Sequence, residues 1–382
     1  MRKESIIFLR SNPVYPDPRV EKEALSLSKN GFKVIIVAWD REDKFPSYES
    51  KVFADIYRLK VKADFGTGLK NVKHLLKWQL ALLLWLAKNR NRFSCIHACD
   101  FDTIIPALVC KLLYKKKVVY DIFDFYADML RNVPNTLKKI IRKIDLFLIG
   151  IADTVIIADE SRLKQVEGSH PKKLVIIYNS PAQYSVSERG REIKDIGKSY
   201  DLIISYVGLL QHERGILEMI KVVKKNKNWK LNLGGFGGDE EIIRQYCESA
   251  DNIVFFGRVP YQKTLEIYAE SDVLFATYDP SIPNHRYSSA NKLFEAMMLG
   301  KPIIVARNTG MDLTVQKYNL GFVIDYGDEA QLEDVLKRVE LWDSITKRDF
   351  AERVSSLFEE DFSWVIMEKR LVKIYIDLCE AK

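Results

Sequence analysis

The sequence predicts an α/β protein made of two doubly wound domains. Three observations carry this. Short apolar runs of strand length alternate with segments of helical periodicity, the pattern of parallel strands covered by helices on both faces. The alternation stops at a polar stretch, 183–198, and then begins again, which marks a linker. The chain has 382 residues, more than one small core organises and enough for two domains of ordinary size. The expected boundaries are 1–182 for the first domain and 199–363 for the second, with a last helix over 364–382.

Composition narrows the class. Hydrophobic content of 47% with 29% charged residues fits a folded, soluble chain. Cys95, Cys99, Cys110, Cys247 and Cys379 lack a paired zinc-ligand spacing and fit a reducing compartment better than a disulfide framework. Met1 is followed by Arg2, Lys3 and Glu4 and then by a short apolar run, which reads as a first strand and not as a signal peptide. The longest apolar region, 75–87, is interrupted by Lys77 and Gln79 and is too short to span a bilayer. A formal net charge of +7 attracts anions without naming them. No zinc-finger or RNP signature accompanies the charge, so nucleic acid is not expected as a partner.

The first half opens with Ile6-Ile7-Phe8-Leu9, a buried strand by its continuous apolar character. A proline-rich loop, 10–18, feeds a helix over 19–30 that Gly31 closes, and 32–39 is the next strand. This βαβ opening places a site at the carboxyl ends of its strands. No Gly-x-Gly-x-x-Gly follows the first strand, which removes the dinucleotide fingerprint. A helix over 70–88 carries the stripe Leu69, Val72, Leu76, Leu80, Leu83 and Ala87 beside Lys70, Lys73 and Lys77. Two readings fit it: a core-facing helix with a solvated rim, which is preferred, or a helix lying on an anionic membrane. The clusters Lys115-Lys116-Lys117 and Lys138-Lys139 with Arg142-Lys143 support the second. Cys95, His97 and Cys99 share one face of a strand, but zinc takes about four ligands and no second pair follows, so no catalytic metal is expected. Residues 118–126 are strand then loop, where Asp124 is either a carboxylate that polarises a hydroxyl or the cap of the next helix. Strands over 154–158, followed by a helix from Ser161, and over 174–178 end this half.

The second half repeats the pattern. A strand over 202–207 leads through Gly208 to Gly215 and a helix from Ile216. Leu231-Asn232-Leu233 runs into a turn rich in glycine, Gly234-Gly235-Phe236-Gly237-Gly238, whose small residues let backbone amides approach a ligand. Strands follow over 253–256 and 272–276. The helix that starts at Asn291 has Asn291 as its expected N-cap, Leu293, Phe294, Met297 and Met298 on one face, and Lys292 and Glu295 on another. Gly300 ends it before the strand Ile303-Ile304-Val305. Free amides and the dipole at a helix start suit a phosphate or sugar, and a carboxylate in the first turns can accept from the paired hydroxyls of a ribose. The plain alternative leaves Glu295 solvated on an amphipathic helix.

The run Asn291-Lys292-Leu293-Phe294-Glu295-Ala296-Met297-Met298-Leu299-Gly300-Lys301-Pro302-Ile303-Ile304 resembles the donor-binding motif of family-four retaining glycosyltransferases, in their Asn-Lys-x-x-Glu subgroup. The resemblance implies the GT-B fold, two Rossmann-like domains facing each other across a cleft, with the last helix crossing back to the first. It implies that Glu295 binds the ribose of a nucleotide-sugar and Arg214, between Gly208 and Gly215, its diphosphate. Gly235 and Gly237 then admit the nucleotide, and Arg258 and Val259 border the base. Ser289, Asn291 and Lys292 complete the donor site, with His285 and Arg286 facing the sugar. On the acceptor side the resemblance implies Asp17 and Arg19, otherwise a cap and a surface charge, and His97 or Asp100. Three positions depart from the pattern: Tyr287 replaces a Glu, Leu209 a cation and Phe123 a His.

These readings predict a metal-independent hexosyltransferase. It would move a hexose from a UDP- or GDP-linked sugar to a hydroxyl of a saccharide or lipid-linked acceptor, with retention and with no cofactor beyond the donor. Arg214 and Lys292 would stabilise the departing diphosphate and Asp124 would serve as the catalytic carboxylate. The expected setting is polysaccharide biosynthesis in the cytoplasm, and the membrane reading of the 70–88 helix adds the inner face of a membrane, whose anionic surface would then be a partner. Two rivals stand beside it. An epimerase would convert the same donor without an acceptor, and a catalytically silent binding or scaffold protein would hold it without turnover.

Overall fold

The computed structural model describes residues 4–63, 72–130, 133–182, 200–248 and 250–380. The linker expected at 183–198, Leu69 of the expected apolar stripe, and Lys70 and Asn71 of the expected 70–88 helix lie outside the described residues. The chain divides into two compact units, Met1–Tyr178 with Met367–Lys382, and Asn179–Ile366.

In the first unit β1 (Ser5–Arg10), β2 (Lys33–Trp39), β3 (Tyr48–Ser50), β4 (Asp55–Leu59), β5 (Cys95–Cys99), β6 (Lys117–Ile122), β7 (Thr154–Ile157) and β8 (Leu174–Ile176) form one sheet. Its order is β3-β4-β2-β1-β5-β6-β7-β8, parallel throughout except between β3 and β4. The direction of winding reverses between β1 and β5, so the carboxyl ends of those two strands border a crevice. The helices of this unit's main segment are α1 (Pro18–Lys29), α2 (Val72–Lys88), α3 (Phe101–Tyr114), α4 (Tyr126–Met129) and α5 (Asn135–Ile151). One sheet face, with Ile7, Ile35, Ile96, Val118 and Val155, is covered by Trp78 and Leu82 of α2, Ile104 and Ala107 of α3 and Ile149 of α5.

The docked face of α2 differs from the stripe that the sequence predicts. Trp78, Leu82 and Leu86 are fully buried, and Leu76 and Leu80 are exposed. The helix is apolar around most of its circumference, so periodicity leaves its rotation open. The bulk of Trp78 decides it: the ring stacks on Trp39 with centroids 5.0 Å apart, and its indole N–H donates to the Asp102 carbonyl. The helix expected from Ser161 is a short 3₁₀ turn, Glu160–Lys164.

In the second unit β9 (Leu202–Leu209), β10 (Trp229–Phe236), β11 (Ile253–Phe255), β12 (Val273–Ala276), β13 (Ile303–Ala306) and β14 (Gly321–Ile324) form a parallel sheet in the order β11-β10-β9-β12-β13-β14. Here the winding reverses between β9 and β12. The helices are α6 (Ile216–Lys225), α7 (Glu240–Glu248), α8 (Tyr261–Ala269), α9 (Asn291–Met298), α10 (Met311–Tyr318), α11 (Glu329–Glu340) and α12 (Ser344–Leu357). Gly234 and Gly235 are strand residues of β10 and not a turn, because Gly235 sits in register with Gly208 of β9.

The last helix, α13 (Trp364–Glu380), belongs to the first unit from Met367 onward. Met367, Leu371, Ile374 and Tyr375 are buried there. Glu368 accepts from Ser26 of α1 at 2.7 Å, and the Tyr375 hydroxyl bonds Nδ1 of His97 in β5. Replacing Tyr375→Ala opens a cavity in this core and should cost about 3–5 kcal/mol, and Tyr375→Phe about 1–3 kcal/mol from the stranded His97 nitrogen. Urea unfolding followed by circular dichroism measures both. An Ala variant as stable as the wild type would contradict this packing.

Candidate functional site

The carboxyl ends of β9, β10 and β12 meet the starts of α8 and α9 around a cavity of about 390 Å³. This is the switch point of the second sheet, where the loops leaving neighbouring strands run in opposite directions and leave room between them. Tyr206, Val207, Gly208 and Leu209 line it from β9, and Gly235 and Phe236 from β10. Arg214 enters from the short turn His212–Arg214, Arg258 and Val259 from the loop after β11, and Tyr278 from the loop after β12. Asn291, Lys292 and Glu295 complete the wall from the first turns of α9. Gly237 and Ser289, expected here from the sequence, are not among the lining residues. Gly237 instead lies against the backbone after β9, where a Cβ would come 2.2 Å from the Leu210 carbonyl oxygen.

Two details of α9 differ from expectation. The residue in the cap position is Ala290, which offers no side-chain acceptor, and Asn291 is the first helical residue. The Asn291 side-chain oxygen accepts from the amide of Asn179 instead of from its own helix. Lys292 and Glu295 are both buried, 5% and 4% exposed, so Glu295 is not a solvated surface charge. The helix faces the sheet with Leu293 and Phe294 and the cavity with Lys292 and Glu295, leaving little of it to water.

Lys292 is held in an unusual way for an ammonium group. Its Nζ donates to the Val207 carbonyl and to the Tyr268 hydroxyl, each at 2.7 Å, and lies 4.0 Å from the centre of the Tyr206 ring. The Tyr268 hydroxyl in turn donates to the Val207 carbonyl at 2.8 Å and accepts from the Val207 amide at 3.0 Å. Burial lowers the lysine to about 8; Glu295 opposes that shift and Arg214 adds to it. Glu295 also takes a hydrogen bond from Tyr261. Arg214 lies with its guanidinium 4.0 Å over the Tyr278 ring, and its buried Nε has no hydrogen-bond partner among the described residues. Arg258 similarly covers Phe236 at 4.6 Å. The cavity thus presents cationic groups and one carboxylate among aromatic walls, the inventory for a ligand with phosphates, hydroxyls and a flat ring.

His285 and Arg286, expected to face a sugar, turn away. Nδ1 of His285 bonds the Asp279 carbonyl at 2.9 Å and Nε of Arg286 donates to the Pro280 carbonyl at 2.8 Å, because the turn Pro283–Tyr287 folds back on the loop before it. Tyr206, Tyr261 and Tyr278 of the lining, and Tyr268, which bonds Lys292, are absent from the sequence reading. Tyrosines within or beside apolar strands and helices read as core, and only the fold gathers these around Lys292, Glu295 and Arg214.

The first unit gathers the remaining predicted residues at the ends of β1 and β5. Asp17 caps α1, accepting from the Val20 amide, and takes Nε of Arg10 at 2.7 Å. Arg10 also pairs with Asp100, which accepts from the Phe123 amide at 2.9 Å. Arg19 is no surface charge: it is buried, donates to Asp121 at 3.0 Å and pairs with Glu23 at 3.2 Å. The Arg10 and Arg19 guanidinium groups lie 4.3 and 4.7 Å from the Phe123 ring. His97 is buried between Tyr375 and Asp121. Burial pushes Glu23 up to about 8, helped by Asp121, and Asp100 up to about 7 against Arg10, while burial lowers His97. Asp124 accepts from Arg162 at 2.9 Å and caps no helix, since α4 begins after Phe125. Ligand atoms of Glu23, His97 and Asp121 lie within 4.8 Å of one another, but Arg19 already supplies a cation against both carboxylates.

Comparison with known proteins now bears on this geometry. Residues 188–355 match the family of glycosyl transferases group 1. That stretch is less than half of the chain and falls within the second unit. D-inositol 3-phosphate glycosyltransferase of Corynebacterium kroppenstedtii is 25% identical over 215 residues, 52% of this chain and 45% of that protein. The capsular polysaccharide biosynthesis glycosyltransferase CapM of Staphylococcus aureus is 25% identical over 44% of this chain and 45% of its own length. The matches therefore span less than half the length of these relatives. Sucrose-phosphate synthase of Thermosynechococcus elongatus superposes over 100% of both chains with a TM-score of 0.77 at 16% identity. Anabaena Alr3699/HepE, solved in complex with UDP and glucose, superposes over 97% of this chain and 98% of that one with a TM-score of 0.68 at 13% identity. The fold is GT-B. In this GT-B chain the cavity lies within the segment that the family match covers.

Gly235 is the backbone feature on which the cavity's shape depends. Its φ of +133° and a Cβ position only 1.8 Å from the Gly208 oxygen leave no place for a side chain. Gly235→Ala should therefore lower the stability of the second unit by more than about 1 kcal/mol. Thermal unfolding checks it, and an unchanged melting temperature would mean that β9 and β10 are not this close.

Proposed function

We propose that this chain is a glycosyltransferase whose second unit holds a nucleoside-diphosphate sugar. The observation that carries the reading is the meeting of Arg214, whose buried Nε has no partner among the described residues, and the buried Lys292 and Glu295 in one cavity at a sheet switch point. A diphosphate needs cations that are already desolvated, since these act strongly and need no reorganisation as charge develops. Arg214 meets the phosphates with a planar donor fork, and Lys292 adds a point charge behind it. Glu295 accepts from the ribose hydroxyls, and the nucleobase lies between Arg258, Val259 and the aromatic wall. Solved with UDP and glucose, HepE supports this donor class, and the names of the curated relatives support transfer to a sugar-like acceptor.

The donor's glycosidic bond breaks as negative charge collects on the departing diphosphate, and the cations lower that barrier. Glu295 is the carboxylate among the described lining residues and is engaged by Tyr261, so the reading gives it no role as a nucleophile. The acceptor hydroxyl then attacks from the side of the leaving group, its proton passing to a phosphate oxygen, and configuration is retained. A hexose is the transferred group and a saccharide or lipid-linked hydroxyl the acceptor. The charge requirement is met by Arg214 and Lys292, and the reading calls for no metal or cofactor.

Calorimetric titration with UDP and GDP tests the site. One nucleotide should bind the wild type and fail to bind an Arg214→Ala, Glu295→Ala double variant; binding of neither would sink the transferase reading. The Lys292 charge gives a second test. An amine lowered to about 8 is cationic at pH 7 and mostly neutral at pH 9, so affinity for a diphosphate should fall as pH rises, roughly tenfold over that interval. Lys292→Arg, which stays charged, should flatten the profile. A wild-type affinity that is constant from pH 7 to 9 would remove Lys292 from the phosphate site.

A further inference from the structure

Three helices on one face of the first unit leave a second apolar stripe in solvent. On α2 the residues Leu76, Leu80 and Leu84 repeat every fourth position opposite the buried Trp78 and Leu82, and Leu76 is 63% exposed. On α3 the exposed residues are Ile105, Leu112 and Leu113, again on one side of the helix, with Leu112 at 71%. On α5 they are Ile140, Ile144 and Phe147, with Phe147 at 69%. The helices are neighbours, α2 packing on α3 and α3 on α5, and all three cover the same sheet face. Single exposed leucines are ordinary, but three adjoining stripes make a patch that a soluble chain seldom leaves uncovered.

The charges on these helices are one-sided. Their acidic residues are Asp102 and Asp145, and both are buried. Lys73 and Lys77 flank the stripe of α2, and Lys139 and Lys143 that of α5, all exposed and, among the described residues, none in an ion pair. Among the described residues no helix is long and apolar enough to cross a membrane. Apolar rows edged by lysine on helices lying side by side match the layering of an anionic bilayer surface, acyl chains below and charged headgroups around. A partner protein with an acidic rim would need an apolar face of equal breadth, whereas a bilayer supplies both chemistries at any breadth.

We infer that the α2–α3–α5 face of the first unit docks on an anionic lipid bilayer, with Leu76, Leu80, Leu84, Leu112 and Phe147 entering the interface and Lys73, Lys77, Lys139 and Lys143 contacting headgroups. This surface stands on its own and does not depend on transfer activity in the second unit. The test is co-sedimentation of the full chain with vesicles of phosphatidylcholine alone and of phosphatidylcholine mixed with phosphatidylglycerol. Binding should favour the anionic vesicles and weaken with added salt. It should drop on the order of tenfold both in a Leu80→Gln, Leu84→Gln, Phe147→Gln variant and in a Lys139→Glu, Lys143→Glu variant. Because these positions are exposed, both variants should melt at the wild-type temperature. Equal binding to the two vesicle types, no binding at low salt, or binding unchanged in both variants would overturn the proposal. Light scattering gives the remaining outcome: a wild-type dimer that the glutamine variant converts to monomer would assign the face to a second copy of the chain instead.

Discussion

The second unit is arranged around an ammonium group taken out of water. Lys292 would be costly in that position without partners. It is tolerated because the Val207 carbonyl, the Tyr268 hydroxyl, the Tyr206 ring and the Glu295 charge surround it. The same contacts position the end of β9, since Tyr268 bonds both the amide and the carbonyl of Val207. The lysine therefore joins α9, α8 and β9 at the point where the sheet's winding reverses. A cavity floored by Val207 and Gly208 and walled by α9 follows from that junction. Arg214 lines the same cavity, and its like charge is one reason the lysine is held below its ordinary value.

The first unit solves a comparable problem with balanced charges. Arg10 is matched by Asp17 and Asp100, and Arg19 by Asp121 and Glu23, with Phe123 lying against both guanidinium groups. The phenyl ring at 123, a departure from the family pattern, thus has a packing role of its own: it offers a π face to two cations whose donors are already engaged. His97 is drawn into the core in the same manner and reaches the last helix through Tyr375. That bond, with the buried Met367 and Leu371, ties the carboxyl-terminal segment to strands formed by the start of the chain.

Docking of α2 shows how a helix with two apolar sides divides its labour. The side with the larger side chain goes inward, because Trp78 removes more surface from water than any leucine and finds both a stacking partner and an acceptor. The leucine row opposite is left over, and so are similar rows on α3 and α5. These three residual stripes adjoin only because the sheet order places their strands side by side.

The fold class was legible in the sequence because burial on both faces of a parallel sheet demands continuous apolar strands, and residues 6–9, 202–207 and 303–305 have that character. The run 291–304 marked α9 and its end at Gly300, and the resemblance it carries pointed to Lys292 and Glu295, which line the cavity. What the sequence could not show is the state of those residues. Spacing along a helix places a lysine and a glutamate near each other, but whether they are solvated or buried depends on the strands and helices packed against them. The short strands β3 and β4 carry polar residues that mask the period, and the surface-charge alternative for Arg19 and the helix-cap alternative for Asp124 fail because the partners of these residues, Asp121 and Arg162, are distant in sequence. Local pattern determined which segments become strands and helices; long-range packing alone decided which charges are paired, which aromatic rings line the cavity and which apolar stripes remain in water.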